Sequence, residues 1–301
     1  MFDSIFIMGP TACGKTSIAV KTALLNNGEI ISADSRQVFR HMDIGTGKDL
    51  DDYNLHNINY HMIDVVSPND KFSLHDYMSG FEKSFEKIIS QKKLPVICGG
   101  TGLYIEALLK GFSLSDIPED GEYRSKMNLL PKEILIEKLS KYPEIYSKTD
   151  LSSKKRIIRS LEIAENGGKF GSNQNVFVKN PLNFLIYYPR EEIKARIENR
   201  LRTRIDNGMI EEGKKLLQNG LDLEKMKSFG MEYKRLAEYL SDETDYSTFF
   251  SNLLTDIFRL AKRQMTWFRG MKRRGISYIE IDLSKTSHDE AVQFITSNII
   301  K

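Results

Sequence analysis

Eight residues near the start of the chain, Gly9-Pro10-Thr11-Ala12-Cys13-Gly14-Lys15-Thr16, fit the pattern G-x-x-x-x-G-K-[ST] at every fixed position. The pattern works only between a buried strand and a helix, and the flanks supply both. Residues 4–8 (SIFIM) are an apolar run ending at a glycine, and residues 15–26 place Ile18, Ala19, Thr22, Ala23 and Leu24 at helical spacing. In that setting the glycines let the backbone curl so that successive N–H groups converge on an anion. The helix N-terminus adds partial positive charge, Lys15 adds a mobile full charge, and Thr16 offers its hydroxyl to a magnesium ion. By average composition the four fixed positions coincide by chance in roughly one chain in a hundred of this length, and the flanking elements lower that further. A phosphate-bearing ligand and Mg2+ are therefore expected here. The same loop serves ATP-binding and other nucleotide-binding proteins, so the motif alone does not choose the phosphate.

The order of elements downstream sets the fold class. Apolar runs at 29–33 (EIISA), 60–66 (YHMIDVV) and 94–98 (LPVIC) read as buried strands, with helical spacing over 74–91 and 103–110. Strands alternating with helices predict an α/β fold, a P-loop NTPase-like parallel sheet flanked by helices. After Gly111 the pattern changes. Residues 113–180 hold short charged helical stretches and the loop-like GGKFGSNQN, and read as an inserted helical subdomain. The core is then residues 1–112 and 181–301. In its second part 183–188 (NFLIYY) rejoins the sheet, 190–217 and 246–274 are helical, 277–282 (SYIEID) is a last strand and 287–300 a closing helix.

Length and composition narrow the class. With 301 residues, 40% hydrophobic and 28% charged, the chain has the balance of a globular protein with a core. A net charge of +3 permits an anionic partner without requiring one. Cys13 and Cys98 have no metal-ligand spacing and make no disulfide framework, His41 and His61 have no metal partners, and no apolar run reaches the ~18 residues of a membrane span. A reduced, cytoplasmic protein is expected.

In open parallel sheets ligands lie beyond the carboxyl ends of the strands. Two segments fall there and should face the P-loop: Ala33-Asp34-Ser35-Arg36-Gln37-Val38 and Gly99-Gly100-Thr101-Gly102. Asp34 suits a general base or a magnesium contact, and as an alternative a helix cap. Thr101 either donates to a leaving-group oxygen or caps the helix after it. An ordinary nucleotide hydrolase would carry a second apolar strand ending in Asp. The best candidate is Asp64, but His61 and Met62 interrupt its strand.

GPTACGKT, ISADSRQVFRHMDIGTGK and CGGTGLYIEALL, in that order, resemble the tRNA dimethylallyltransferases, the isopentenyl-diphosphate:tRNA prenyl transferases, in their bacterial form. HMIDV (61–65), RIIRSLEI (156–163) and AKRQMTWFR (261–269) extend the resemblance over most of the chain. It implies transfer of a dimethylallyl group from dimethylallyl diphosphate to the N6 amine of the adenine 3′ of the anticodon, position 37, in tRNAs reading codons that begin with U. The products are N6-dimethylallyladenosine and diphosphate. The P-loop then holds a prenyl diphosphate, with Lys15, Thr16 and Mg2+ offsetting charge on the leaving group and Arg204 reaching the diphosphate. Asp34 matches the carboxylate that accepts or aligns the amine proton, and Thr101 the threonine near the bridging oxygen.

For tRNA the resemblance implies contacts from Asp34, Ser35, Arg36, Gln37, Thr101, Tyr123 and Arg263, and from Lys154, Lys155, Arg156 and Arg159 in the insertion. Lys262, Arg269, Lys272, Arg273 and Arg274 extend the basic footprint beside Trp267 and Phe268, with Trp267 itself expected in the core. The partners are thus the tRNA anticodon stem-loop and dimethylallyl diphosphate, with no membrane, and a monomer as the working form. The chain departs from the family's pattern at Gly47-Lys48-Asp49, where an alanine and then a proline are usual, and at Ile257-Phe258, where threonine–arginine is usual. The segment 202–213 is also a few residues short. A P-loop kinase acting on a small metabolite, and a non-catalytic RNA-binding module, are the competing readings.

Overall fold

The computed structural model describes residues 2–112, 115, 117–168 and 178–299. The chain divides into two compact units, residues 1–109 with 177–301, and residues 110–176.

The first unit is built on six strands: β1 (Ser4–Met8), β2 (Gly28–Ser32), β3 (Tyr60–His61), β4 (Leu94–Gly99), β5 (Pro181–Tyr187) and β6 (Ile279–Asp282). They form one parallel sheet in the order β3-β2-β4-β1-β5-β6. Every residue of β1 and β2 is buried, as expected for central strands covered by helices on both faces. The first half of the chain adds strands on one side of β1 and the second half on the other, so the end of β1 is the point where strand order reverses and where a ligand crevice opens.

The helices of the first half are α1 (Lys15–Leu25), α2 (Leu50–Leu55), α3 (Leu74–Ser90) and α4 (Gly102–Lys110). Helix α3 starts at a reciprocal cap in which Ser73 and Asp76 each accept the other's backbone N–H. The second unit holds α5 (Gly121–Asn128), α6 (Lys132–Ser140), α7 (Pro143–Tyr146) and α8 (Lys154–Glu165) around a core of Leu135, Leu139, Ile157 and Leu161. Its buried charge, Glu162, accepts from Arg124, Arg159 and the backbone N–H of Asp120. In the first unit follow α9 (Arg190–Asp206), α10 (Met209–Gln218), α11 (Leu223–Lys227), α12 (Met231–Leu240), α13 (Tyr246–Arg273) and α14 (His288–Ile299). No helix among the described residues is long and apolar enough to cross a membrane.

Three expectations change. The strand expected over 60–66 ends at His61, because Met62 (φ 63°) and Asp64 (φ 56°) turn left-handed. The helix expected over 190–217 is two helices, broken where Gly208 takes φ 96°. The last strand begins at Ile279 rather than 277. The GGKFGSNQN loop lies largely outside the described residues.

Candidate active site

The P-loop follows β1 and opens α1, with Gly14 in the left-handed conformation (φ 83°) that aims the first helical N–H groups inward. Two side chains hold its outer wall. Gln264 of α13 accepts from Thr11 N–H (2.9 Å) and donates to Gly100 O (3.0 Å), which ties the P-loop to the glycine turn after β4. Arg196 of α9 donates to Ala12 O (3.1 Å) and stacks over the Tyr188 ring, 4.3 Å from its centroid. Lys15 Nζ rests 3.3 Å from Pro10 O.

Beside the loop, Gly99 lies so close to Ala33 O that a side chain there would overlap the backbone of the neighbouring segment. That close approach brings Thr101 to the turn after β2. Its Oγ1 accepts from Ser35 N–H (3.0 Å), so the hydroxyl binds the opposite turn rather than capping α4. Asp34 Oδ1 accepts from Arg36 N–H (2.9 Å), closing an Asx turn, and no helix follows it to be capped. Its other oxygen has no partner among the described residues.

The chain from 35 to 49 wraps this edge without regular structure, and buried polar groups fix it. Lys48, fully buried, donates to Phe39 O and pairs with Asp43 and Asp64. Glu212 of α10 accepts from three consecutive N–H groups, Asp43 (2.7 Å), Ile44 (2.7 Å) and Gly45 (2.9 Å), and from Tyr233 Oη (2.7 Å). Gln37 bridges Ser32 Oγ and Gly47 O. Arg36 pairs with Glu232, itself almost fully buried. Burial works against the Arg36 charge, but Glu232 and Asp34 more than offset it and raise its pKa.

These groups line one cavity of about 350 Å³: Thr11, Lys15 and Thr16 from the P-loop, Asp34 to Gln37, the Gly99–Leu103 turn, Gly47 and Asp49, Arg200 and Arg204 from α9, and Leu260, Arg263, Gln264 and Trp267 from α13. The four α13 residues recur at i, i+3, i+4 and i+7, one face of a helix. The Arg204 guanidinium is driven down to about 10 by burial and then by the neighbouring Arg200, which favours an anionic ligand beside it. The cavity thus combines an anion cradle with a half-free carboxylate at its other side.

Several site residues are not where the sequence put them. Trp267 was expected in the core, yet it is 36% exposed on the cavity wall, because Gly102 has no side chain and leaves a shelf for the indole. Asp64 pairs with Lys48 and is absent from the cavity lining, where the second aspartate of a nucleotide hydrolase would stand. Arg196, Arg200, Gln264, Glu212 and Glu232 were missed. The arginines 196, 200 and 204 stand four residues apart, a signal of one cationic helix face that was legible. Glu212 and Glu232 had no such signal, since their partners come from distant segments.

In the second unit Tyr123 donates to Glu165, Lys154 to Asn128 O, Arg156 pairs with Asp150 and Arg159 with Glu162, while Lys155 is exposed and has no acid partner among the described residues. Along α13, Lys262, Arg263, Arg269 and Arg273 are exposed and have no acid partner among the described residues, whereas Lys272 pairs with Glu280 and Arg274 with Glu106.

The family model described as IPP transferase matches residues 37–271. The "tRNA dimethylallyltransferase 1" of Parabacteroides distasonis is 42% identical over 294 residues, covering 96% of this chain and 95% of the relative. The crystal structure of the full-length tRNA isopentenylpyrophosphate transferase from Bacillus halodurans superposes with a TM-score of 0.72 at 30% identity, covering 100% of this chain and 96% of that one. A eukaryotic dimethylallyltransferase acting on tRNA has the same fold, with a TM-score of 0.81 at 22% identity over 100% of this chain and 79% of its own. The chain belongs to the IPP transferase family.

Proposed function

We propose that the chain transfers a dimethylallyl group from dimethylallyl diphosphate to the N6 amine of adenine 37 in tRNA. The observation that carries this reading is the single cavity in which P-loop residues Lys15 and Thr16 face Asp34 and Thr101. In the reaction the donor's C1–O bond breaks and its electron pair leaves with the diphosphate. A bond forms between C1 and N6, and one amine proton passes to the free oxygen of Asp34. Lys15, Arg204 and the P-loop N–H groups stabilise the charge that grows on the departing oxygens. Thr101, held at Ser35, lines the same cavity, and its hydroxyl would donate to the bridging oxygen. Trp267 and Leu103 give the acceptor side flat apolar surface for an unstacked base.

The residues suit magnesium. Among the described residues no group of three or more His, Cys, Asp or Glu forms a cage, and Mg2+ commonly takes one or two protein ligands plus phosphate oxygens and water. Thr16 would hold it, and when bound it would neutralise the diphosphate. The exposed cations of α13, with Lys155 in the helical unit, are the proposed contacts to the anticodon stem-loop. Action as a monomer in the cytoplasm belongs to the same proposal, and two buried free thiols fit a reducing compartment. The kinase reading is disfavoured by Asp64, which is committed to Lys48.

The test is incubation with unmodified bulk tRNA, magnesium and radiolabelled dimethylallyl diphosphate. Label is expected on the adenine beside the anticodon. No label, with ATP turned over in the presence of small acceptors, would replace this reading with the kinase.

A further inference from the structure

Trp267 is the chain's single tryptophan, and with Gly270 and Arg274 it stands at i, i+3 and i+7, on the face of α13 that also brings Gln264 to the cavity. Helix α4 meets this face with Gly102 and Glu106, four residues apart and so on one face of their own helix. The indole rests on Gly102, where a Cβ would overlap the ring. Arg274 is the ring's second neighbour, its guanidinium 5.8 Å from the ring centre and within cation–π range. It reaches that place across Gly270, where a Cβ would lie 2.7 Å from Nη1. Its Nε and Nη2 donate to the two oxygens of Glu106 at 2.6 and 2.7 Å, a fork on a fork that locks both side chains. The Glu106 side chain is buried at the core end of this pair, while the Arg274 side chain is 45% exposed.

An ion pair on a buried carboxylate gains little stability over an apolar pair of the same shape, but a fork-to-fork pair fixes an orientation. The orientation at stake here is that of a ring on the cavity wall. We propose that the Arg274–Glu106 pair is a positioning device that holds Trp267 as the surface on which the acceptor base stacks, and that Arg274 itself does not meet the RNA. The inference rests on the prenyl-transfer reading above. A base can stack on an indole in any plane, but only one plane brings its amine to the donor carbon, so a loosened ring lowers the rate more than the affinity for RNA. The basic run Lys272-Arg273-Arg274 is thereby divided. Arg273 is exposed with no acid partner among the described residues, whereas Arg274 is spent on Glu106 and the ring.

With one tryptophan in the chain, intrinsic fluorescence reads the position of this ring directly. The probe is an unmodified anticodon stem-loop RNA with adenine 3′ of the anticodon, added to the full chain, and it is expected to quench Trp267 emission in the wild-type protein. The double variant Arg274→Met with Glu106→Gln removes the pair without leaving a lone buried charge. It is expected to make Trp267 about two-fold more open to acrylamide quenching and to lower single-turnover dimethylallyl transfer by about ten-fold, in the range of one lost base stack. The salt dependence of RNA binding and the affinity for inorganic diphosphate should stay as in wild type. Arg274→Lys keeps a charge opposite Glu106 but loses the planar fork, and should move quenching and transfer the same way by less. A thermal melt of each variant identifies misfolding, and Arg274→Lys keeps the test open where the double variant does not fold. Acrylamide quenching unchanged in both variants overturns the inference, because the pair then does not hold the ring. So does greater quenching with a wild-type transfer rate, and so does a reduced salt slope in the double variant, which would make Arg274 a phosphate contact. Each of these results leaves the prenyl-transfer reading standing, whereas no transfer by the wild-type protein overturns both.

Discussion

A carboxylate with one oxygen tied to its own turn is held in place and keeps the other oxygen open to take a proton. Asp34 has that arrangement. Asp34→Ala is therefore expected to lower turnover by about 10²–10⁴-fold, the usual worth of a positioned acid or base, while the affinity for dimethylallyl diphosphate stays within a few-fold. Single-turnover kinetics with a separate donor titration read the two quantities. A donor affinity that falls as steeply as turnover would make Asp34 mainly a metal ligand. Lys15 is the opposite case, because its charge meets the donor in ground state and transition state alike. Lys15→Ala should weaken donor binding and turnover together, each by about ten-fold or more. Unchanged binding would show that backbone N–H groups and metal suffice. Lys15, Thr16, Asp34 and Thr101 were readable from the sequence because each sits in or beside a fixed-length turn at a strand end, where local spacing determines position. Arg36 and Gln37 also line the cavity, and no sequence signal pointed to the partners that hold them there. Gln37 is bound by Ser32 and Gly47 across an irregular stretch with no periodicity, and Arg36 by Glu232, which lies too far along the chain to leave a local pattern.

The irregular stretch from 35 to 49 is the element on which the cavity's shape depends, and α10 holds it through one carboxylate. Glu212 accepts four hydrogen bonds, three of them from consecutive backbone N–H groups that no secondary structure satisfies. Glu212→Ala leaves those donors unpaired in a part-buried site, and unfolding in urea should show a loss of about 2–4 kcal/mol. A loss below about 0.5 kcal/mol would mean that water replaces the carboxylate freely. The same stretch explains which elements the sequence disclosed. Strands β1, β2 and β4 are continuous apolar runs because both their faces are covered, and periodicity finds such runs. YHMIDVV has nearly the same composition but is not a seven-residue strand. Lys48, itself on the irregular stretch, draws Asp64 out of line, and Met62 and Asp64 turn left-handed. Tertiary pairing overrode a local preference there, whereas the break at Gly208, in the arginine-rich run that became α9 and α10, is a local effect of a glycine at positive φ.

At the scale of the whole molecule the question is which of the 44 lysines and arginines meet the RNA, and net charge cannot answer it because 41 acids nearly balance them. Pairing within the structure can. Arg159 is held by Glu162 and Ile117 O, so this side chain is committed to the helical unit's own stability, while Arg156 pairs with Asp150 at the surface. Arg269 and Arg273 on α13 have no acid partner among the described residues and stay exposed. Each cation that neutralises a phosphate on binding releases counter-ions, and its removal should reduce the slope of log K against log salt by about 0.7–0.9. Arg269→Ala and Arg273→Ala are each expected to do so, to weaken tRNA binding and to leave the donor affinity untouched. Arg159→Ala should leave the slope unchanged. It should instead destabilise the protein by about 2 kcal/mol, because it removes one of the partners of a fully buried carboxylate. Filter binding over a series of salt concentrations, paired with a melt of each variant, separates the two classes. A reduced slope for Arg159→Ala would mean that its pairing with Glu162 opens when RNA binds. Unchanged slopes for both variants would take the RNA off the C-terminal end of α13 and leave the cavity mouth, with Arg263 and Trp267 of the same helix, as the site of contact.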